Sequence, residues 1–422
     1  MPIMNEDLKL NLFESKKEIF LFLAFIMILF SANLFFKHKQ YEKLSEEKFF
    51  RTEATVINQY QKTRKSGKTY HVLKLKSVDG YTFITTNYED IRDLKDRQVR
   101  IGLITDKVTF LDFLKSFYAP SFDIELLDHQ TSVKENLQEK IEAQHQETFA
   151  KELFAALFLA KPISKSLRDS VSMLGISHLI AISGYHLSFL FGLLYLIVSK
   201  PYSFFQDRHF PYRNRRFDLS VGIIMILFWY VWLLDFTPSL IRSFVMMAFA
   251  FFLFHRHIRI LSFEVLLVAV LFILALKPPL LFSIGFWFSV SGVFYIYLFL
   301  HYFKGWNKWF IFVFINVWVY FAMIPVVHFI FADFSFWQLL SPLLSIGFGV
   351  FYPLEMLLHL VGFGGLLDGM LEKLFAIKGE MIELKTPLWF LALYVFSSIL
   401  AIFHKGFLLF FASVLFSFFL IV

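Results

Sequence analysis

Residues 175–193 read GISHLIAISGYHLSFLFGL, an apolar run long enough to cross a lipid bilayer that nevertheless carries polar and small residues. The positions that stand out are His178, Ser183, Gly184 and His186. Ionisable and polar groups at membrane depth are costly unless they face a helix bundle or a water-filled path. Because Ser183 and His186 are three residues apart, we expect them on one face of a membrane helix. The segment therefore predicts a membrane helix with a functional polar face.

The overall composition also indicates a membrane protein. Of the 422 residues, 57% are hydrophobic, and the mean hydropathy is +0.60. Apolar runs that can span ~30 Å of hydrocarbon recur after residue 177, without the alternation of membrane β-strands. We expect a polytopic α-helical membrane protein with about 9–11 membrane helices, depending on whether residues 336–366 cross once or twice. The predicted spans are 19–36, 177–199, 219–236, 239–254, 261–276, 281–300, 309–331, 336–362, 388–403 and 406–422.

Composition also divides the chain into segments. Residues 37–116 are rich in charges and in short β-prone runs, and Asp79-Gly80 is a hairpin signal. About five short strands favour a small OB-like β-barrel, with an SH3-like barrel as the alternative. The predicted division is a cytoplasmic N-terminus (1–18), an uncleaved anchor helix (19–36), an extracytoplasmic OB-like β-domain (37–116), a helical connector with interfacial or re-entrant helices (117–176) and a transmembrane domain (177–422).

The distribution of positive charge predicts the orientation. Lys and Arg are concentrated in the loops at 200–217, 255–259 and 301–308, whereas the loops near 235–239 and 332–335 lack them. Short loops rich in Lys and Arg stay in the cytoplasm. The N-terminus is therefore expected inside the cell and the β-domain outside, with the topology after residue 336 left open.

Several kinds of site are excluded by the residues present. The chain has no cysteine, so disulfides and thiolate sites are excluded. His178 and His186 lack a carboxylate or a third histidine at ligand spacing, so no metal site is predicted there. No G-x-x-x-x-G-K-[ST] run is present, so we expect no P-loop hydrolysis of ATP and no cofactor.

The β-domain carries a basic stretch. From Lys48 to Lys76 there are eight basic residues and one acidic residue, with aromatic residues between them. Cations that follow phosphates and rings that stack on bases are typical of surfaces that bind single-stranded DNA. Lysine-rich segments next to a membrane also favour anionic lipid headgroups, so both interpretations stay open. The candidate DNA-binding residues are Arg64, Lys65, Lys68, Tyr70, Lys74 and Lys76.

An arginine lies inside a later apolar segment. Thr237-Pro238-Ser239 is followed by Arg242, about one turn into the predicted helix. At that depth a guanidinium needs an anion or a cluster of carbonyls as partner, and arginine is well suited to phosphate. The alternative is an arginine whose side chain extends to the membrane surface.

The polar groups of residues 178–186 admit three interpretations. Ser183 and Gly184 can serve close helix packing. Ser183 can be the nucleophile of an intramembrane serine hydrolase, which needs a histidine as general base. Ser183 and His186 can also line a polar path through the membrane.

In chain order, these segments resemble the ComEC family of competence proteins. The run at 175–193 is similar to the family's G-x-x-H-L-L-A-V-S-G-x-H segment, and TPSLIRS (237–243) is similar to its S-P-S-x-x-R-A element. PPLLFSIGFWFSVSG (278–292) resembles its proline-led G-F-Q-L-S-F segment. Residues 334–353 resemble a later helix that ends in N-x-x-x-x-P, with Ser345 where asparagine is usual.

The resemblance implies an inner-membrane channel that carries single-stranded DNA into the cytoplasm during natural transformation. The implied lining residues are His178, Ser183, Gly184, His186 and Arg242. The implied partners, besides the DNA and membrane lipid, are an extracytoplasmic DNA-receptor protein and a cytoplasmic DNA-translocating ATPase or single-strand-binding proteins.

The chain departs from many family members in one respect. Those members continue into a metallo-β-lactamase-like domain with an H-x-H-x-D-H motif, and this sequence contains no such run. The resemblance is therefore to a short form, for which we expect conduction and not nuclease activity. The alternatives are an intramembrane serine hydrolase that uses Ser183, and a transporter of lipid or small solutes.

Overall fold

The computed structural model describes residues 12–13, 15–63, 69–88, 94–127, 132–255 and 262–421. The chain forms two compact units. The smaller unit contains Ser15–Asn136 together with Leu271–Ser283, and the larger unit includes Leu137–Val270 and Ile284–Val422. A short segment from the middle of the helical region therefore belongs to the smaller unit, which the sequence did not predict.

The smaller unit begins with a long helix, α1 (Lys16–Ser45). Ser15 caps this helix, because its Oγ accepts a hydrogen bond from the Glu18 amide at 3.3 Å. Helix α1 is long and apolar enough to cross a membrane, as predicted for residues 19–36, and it continues beyond the predicted end. Leu44, near its C-terminus, is buried in the core of the following sheet.

A six-stranded sheet follows α1. Its strands are β1 (Phe49–Thr63), β2 (Thr69–Ser77), β3 (Thr82–Asn87), β4 (Gln98–Ile104), β5 (Phe117–Tyr118) and β6 (Ser121–Leu126). The spatial order is β5-β3-β2-β1-β4-β6, and neighbours are antiparallel except for β3 and β5. Residues 37–116 contain four of these strands, β1–β4, and β5 and β6 follow that range, so the prediction of about five strands there was one too many. This order does not close the sheet, so the OB-like barrel stays a prediction.

Alternation along β2 gives the sheet two different faces. Leu73 and Leu75 are fully buried in the core, whereas Lys74 is exposed and Lys76 is half-buried on the opposite face. The core side is covered by Phe113, which belongs to the short helix α2 (Phe110–Lys115). The sheet therefore has one apolar face and one face that carries lysines.

The segment from residues 271–283 packs within the smaller unit through specific contacts. Asn33 Nδ2 donates a hydrogen bond to the Ala275 carbonyl at 2.9 Å. A 3-10 helix, Pro278–Phe282, follows, and Lys115 Nζ lies 5.2 Å from the centroid of the Phe282 ring. The proline-led run therefore attaches to α1 and α2.

From residue 133 onward the chain is mainly helical. The helices are α3 (Val133–Glu142), α4 (Thr148–Leu159), α5 (Lys165–Met173), α6 (Ser177–Ile180), α7 (Gly184–His209), α8 (Arg215–Leu233), α9 (Pro238–His255), α10 (Phe263–Leu276), α11 (Ile284–Phe303), α12 (Lys308–Val327), α13 (Ser341–Val361), α14 (Asp368–Phe375), α15 (Leu388–Leu400) and α16 (Lys405–Ile421). Two short strands, β7 (Asp333–Phe334) and β8 (Ile382–Glu383), pair antiparallel.

The helices agree with a polytopic membrane protein. Among the described residues, six helical stretches are long and apolar enough to cross a membrane, namely α1, α7, α8, α11, α12 and Phe336–Val361. Four shorter apolar helices lie at Ser239–Leu253, Phe263–Leu276, Leu388–Leu400 and Lys405–Phe418. The predicted number of about 9–11 membrane helices requires these shorter helices to span as well. Residues Phe336–Val361 form one continuous helical stretch, which favours one crossing over two.

The predicted helix over 177–199 is interrupted. Helix α6 ends at Ile180, Ala181 has extended angles (φ −66°, ψ 119°), and α7 begins at Gly184 with Ser183 as its N-cap. The expectation that Ser183 and His186 share the face of a continuous helix was therefore wrong, since Ser183 lies outside α7 with φ −122° and ψ 179°. The break leaves the N-terminus of α7 inside an apolar segment.

Candidate functional site

The N-terminus of α7 is organised by a contact between Ser183 and His186. The Ser183 amide donates to His186 Nδ1 at 3.0 Å, and Ser183 Oγ lies 3.1 Å from the same nitrogen. An imidazole nitrogen that accepts an amide hydrogen carries no proton, so His186 is neutral with its proton on Nε2. His186 is 1% exposed, and its Nε2 has no hydrogen-bond partner. The site therefore contains a buried N–H donor without an acceptor.

Arg242 of α9 has a second buried hydrogen-bond donor without an acceptor. The side chain is 6% exposed; Nη2 donates to Ser243 Oγ at 3.1 Å, Nη1 contacts Met246 Sδ at 3.4 Å, and Nε has no partner. Within the described part of the chain, no carboxylate lies within ion-pair distance of this guanidinium. A buried charge that lacks an opposite charge is costly, so an anionic ligand is the expected partner.

Gly184 brings these two parts of the site together. A Cβ at this position would lie 3.3 Å from Ser243 Oγ and 4.0 Å from Arg242 Nη2. The first turn of α7 therefore lies next to the arginine. The first amides of a helix lack intrahelical acceptors and carry a partial positive charge, so they attract anions. The guanidinium and the helix N-terminus thus form one site with anion-binding chemistry.

Helix α13 packs along the same region through a stripe of small residues. His178 Nε2 lies 3.1 Å from Ser345 Oγ, which itself donates to the Ser341 carbonyl at 2.8 Å. Ser345 therefore accepts from His178, whose proton lies on Nε2. One turn further, the Tyr185 hydroxyl donates to the Gly349 carbonyl at 2.8 Å. Positions 341, 345 and 349 are four apart, so they share one face of α13.

The structure brings most of the predicted lining residues into one region, but in two groups. Gly184 and Arg242 lie together, with Ser183 and His186 at the same helix start, whereas His178 bonds to α13 instead. Sequence reasoning missed Ser243, which bonds to the guanidinium, although it directly follows Arg242 in the TPSLIRS run. It also missed Tyr185, because a tyrosine in an apolar run gives no signal for a carbonyl partner 164 positions away.

Two arginines of the sheet are paired with carboxylates. Arg51 is bonded to Asp123 at 3.0 Å, and Arg100 is bonded to Glu53 at 2.9 Å, a contact that raises the pKa of Arg100. Lys74 is exposed on the outer face of β2, with Lys76 two residues further on the same face. The arginine charges on β1 and β4 are therefore occupied by carboxylates, so the exposed Lys74 on β2 is the better candidate for phosphate contact.

Of the other predicted DNA-binding residues, Tyr70 lies in β2. Tyr70 is half-buried, and its ring centroid lies 5.8 Å from that of Tyr88. Arg64, Lys65 and Lys68 lie outside the described residues.

A search of the described residues for three or more His, Cys, Asp or Glu side chains placed to hold a metal ion found no such group. The site at the start of α7 offers hydrogen-bond donors to an anion: the Arg242 guanidinium, the helix N-terminus and the His186 N–H.

Comparison with known proteins gives one match. The model of the family described as "Competence protein" matches residues 160–422, a range that includes every residue of the candidate anion site. Searches of curated proteins and of solved structures gave no match.

Proposed function

Because this chain belongs to the competence protein family, whose description points to DNA uptake, we propose that it is an inner-membrane channel that conducts single-stranded DNA into the cytoplasm. The observation that carries the proposal is Arg242, a buried guanidinium without a carboxylate partner beside the N-terminus of α7. A DNA strand presents one phosphate charge per nucleotide, and a phosphate can supply the negative charge that Arg242 lacks. The site lies within the matched residues.

The geometry supports conduction in steps. A phosphate that reaches Arg242 can accept from the guanidinium and from the first amides of α7, so the cost of burying its charge is offset. One guanidinium neutralises one phosphate at a time, and conduction requires that each contact be weak enough to break. Neutral His186 adds a donor, its Nε2–H, without adding a fixed charge. We propose that an external DNA receptor delivers the strand and that a cytoplasmic ATPase or single-strand-binding proteins draw it in.

A serine hydrolase is the second candidate, and one contact favours it. Ser183 Oγ lies 3.1 Å from His186 Nδ1, which is the distance expected of a nucleophile and its general base. In such a pair the other ring nitrogen is usually oriented by a third group, and here His186 Nε2 has no partner. The same imidazole nitrogen is also shared with the Ser183 amide. We therefore favour conduction.

We predict that the sheet and the basic loop after α7 lie in opposite compartments. Lys and Arg in short loops are retained in the cytoplasm, and one membrane-length helix, α1, separates the N-terminus from the sheet. A reporter active only in the cytoplasm, fused after Arg215, should be active, and the same reporter fused after Asp79 should be inactive. A reporter active only outside should give the reverse pattern. Activity of both fusions in one compartment would contradict this orientation.

We also predict that the lysines of β2 bind single-stranded DNA through phosphates. In the full-length protein, Lys74→Gln with Lys76→Gln should reduce the slope of log affinity against log salt by about 1.4, since each phosphate contact to single strands contributes about 0.7. The matched control is Arg51→Gln with Arg100→Gln, which removes two positive charges that carboxylates already occupy. Equal slopes in both double variants would favour the lipid-facing interpretation.

A further inference from the structure

Four titratable side chains from distant parts of the sequence form a buried chain in the larger unit. His145, between α3 and α4, contacts both carboxylate oxygens of Asp368 through Nδ1 at 3.0 Å. Its Nε2 lies 3.0 Å from Nε2 of His359, near the end of α13. His359 Nδ1 lies 2.7 Å from the Glu355 carbonyl and 3.3 Å from the Glu355 carboxylate. None of these contacts takes part in the proposed anion site.

The hydrogen bonds determine how many protons these four side chains hold. A carbonyl oxygen can only accept, so His359 Nδ1 carries a proton. The bridge from His145 to Asp368 needs a second proton, and the bridge between the two Nε2 atoms needs a third. Two neutral imidazoles supply only two protons. Wherever the third is placed, the four side chains hold one proton more than two neutral histidines and two ionised carboxylates would hold.

Burial and charge make this site suited to a cation the size of a proton. The side chains of His145 and Glu355 are 0% and 1% exposed, and neither carboxylate oxygen of Glu355 has a hydrogen bond. A buried carboxylate without a donor needs a neighbouring positive charge. An imidazolium at His359 or His145 supplies it. In the described part of the chain, no three of these side chains converge as a metal site requires.

The surroundings of the two imidazoles are close-packed. The His145 ring stacks on Phe154 of α4, with centroids 4.5 Å apart, and Phe158 of α4 meets His359 edge-on. A Cβ at Gly364 would lie 2.7 Å from His359 Nε2, so only glycine fits there. The contacts of α13 and α14 bring Glu355 and Asp368 to the imidazoles, whereas α4 presents aromatic rings. Aromatic rings and backbone therefore enclose the two imidazoles on several sides.

Neighbouring amide contacts fasten the same two regions together. Gln144 Nε2 donates to the His359 carbonyl at 3.1 Å, and Gln144 Oε1 accepts from the Gly364 amide at 2.9 Å. We propose that His145 and His359 share one buried proton, and that this proton-binding site clamps residues 144–145 to the end of α13. The proton-binding site shares no residue with the proposed DNA path, so this proposal does not depend on whether the protein conducts DNA.

The test is solid-state NMR of the full-length protein in lipid bilayers, with its histidines labelled with 15N. One doubly protonated imidazole in this cluster and a hydrogen-bond coupling between the Nε2 atoms of His145 and His359 are expected in the unmodified protein. His145→Gln and His359→Gln should each remove the imidazolium signal. The control, His404→Gln, removes an exposed histidine outside the cluster and should leave that signal in place. The coupling is measured in the unmodified protein, so it tests the shared proton even if the glutamine variants fail to fold.

Amide exchange tests the clamp separately. In His145→Gln, the amides of residues 144–148 and 359–368 should exchange about tenfold faster, because a charge-assisted hydrogen bond between the two regions is lost. Three results would overturn the proposal: two neutral imidazoles without a coupling, one equivalent of a transition metal that co-purifies with the protein and is lost in His145→Gln, or unchanged exchange in a folded His145→Gln variant.

Discussion

Arg242→Gln is expected to lower the entry of DNA into the cytoplasm by at least about 30-fold, while binding of DNA outside the cell continues. The reason is that a buried charge pair costs about 2–5 kcal/mol when one partner is truncated, and the upper part of that range exceeds two orders of magnitude. The measurement follows labelled DNA separately outside the membrane and in the cytoplasm, together with transformation frequency.

Two variants serve as controls for this result. Arg242→Lys keeps the charge but not the planar fork of donors, so it should retain part of the transport. Arg100→Gln removes an arginine that Glu53 already occupies, so it should transport nearly normally. Normal cytoplasmic entry in an Arg242→Gln strain, with the protein present in the membrane at its usual level, would refute the assignment of this residue to the path.

Substitutions at Ser183 separate the channel from the hydrolase. Ser183→Ala removes the hydroxyl but keeps the backbone amide that donates to His186 Nδ1. Loss of a capping side chain costs about 1 kcal/mol, so the channel should keep much of its transport. Ser183→Leu adds bulk at the start of α7, close to Gly184 and the guanidinium, and should block transport.

A hydrolase would respond differently. Without the Ser183 oxygen no acyl-enzyme can form, so Ser183→Ala and Ser183→Leu would be equally inactive. A fluorophosphonate that labels the unmodified protein, stops its activity and fails to label Ser183→Ala would replace the channel interpretation with the hydrolase.

The helical architecture was largely predictable because hydropathy reports it directly. Apolar runs of membrane length predicted α1, α7, α8, α11, α12 and α13. The ends of α8, α11 and α12 were predicted to within four residues, whereas α1 and α7 extend nine and ten residues past their predicted ends. The break before α7 was missed, since Ala181 and Ile182 continue the apolar run and hydropathy does not record a cap. The serine that ends the break has the residue type of an N-cap, which is the signal that was available.

The missed parts of the sites share one cause. His145 and His359 are 214 positions apart, and nothing in local spacing connects them. The pairing of β5 with β3 is likewise a tertiary contact of two residues, too short for any alternating pattern. Arg242 was identified because its chemistry conflicts with its apolar surroundings, which can be recognised without knowing its neighbours. Its approach to Gly184 required the fold.

The interruption between α6 and α7 has a genetic consequence. If backbone amides at Gly184 and Tyr185 hold a passing phosphate, every amino acid except proline carries the same amide. A mutational scan would therefore find that both positions accept any side chain small enough to fit. It would underestimate the contribution of their backbone amides to phosphate binding. Replacing the amide at position 185 with an ester removes the donor and leaves the side chain. It would reveal a contribution that no amino-acid substitution except proline removes.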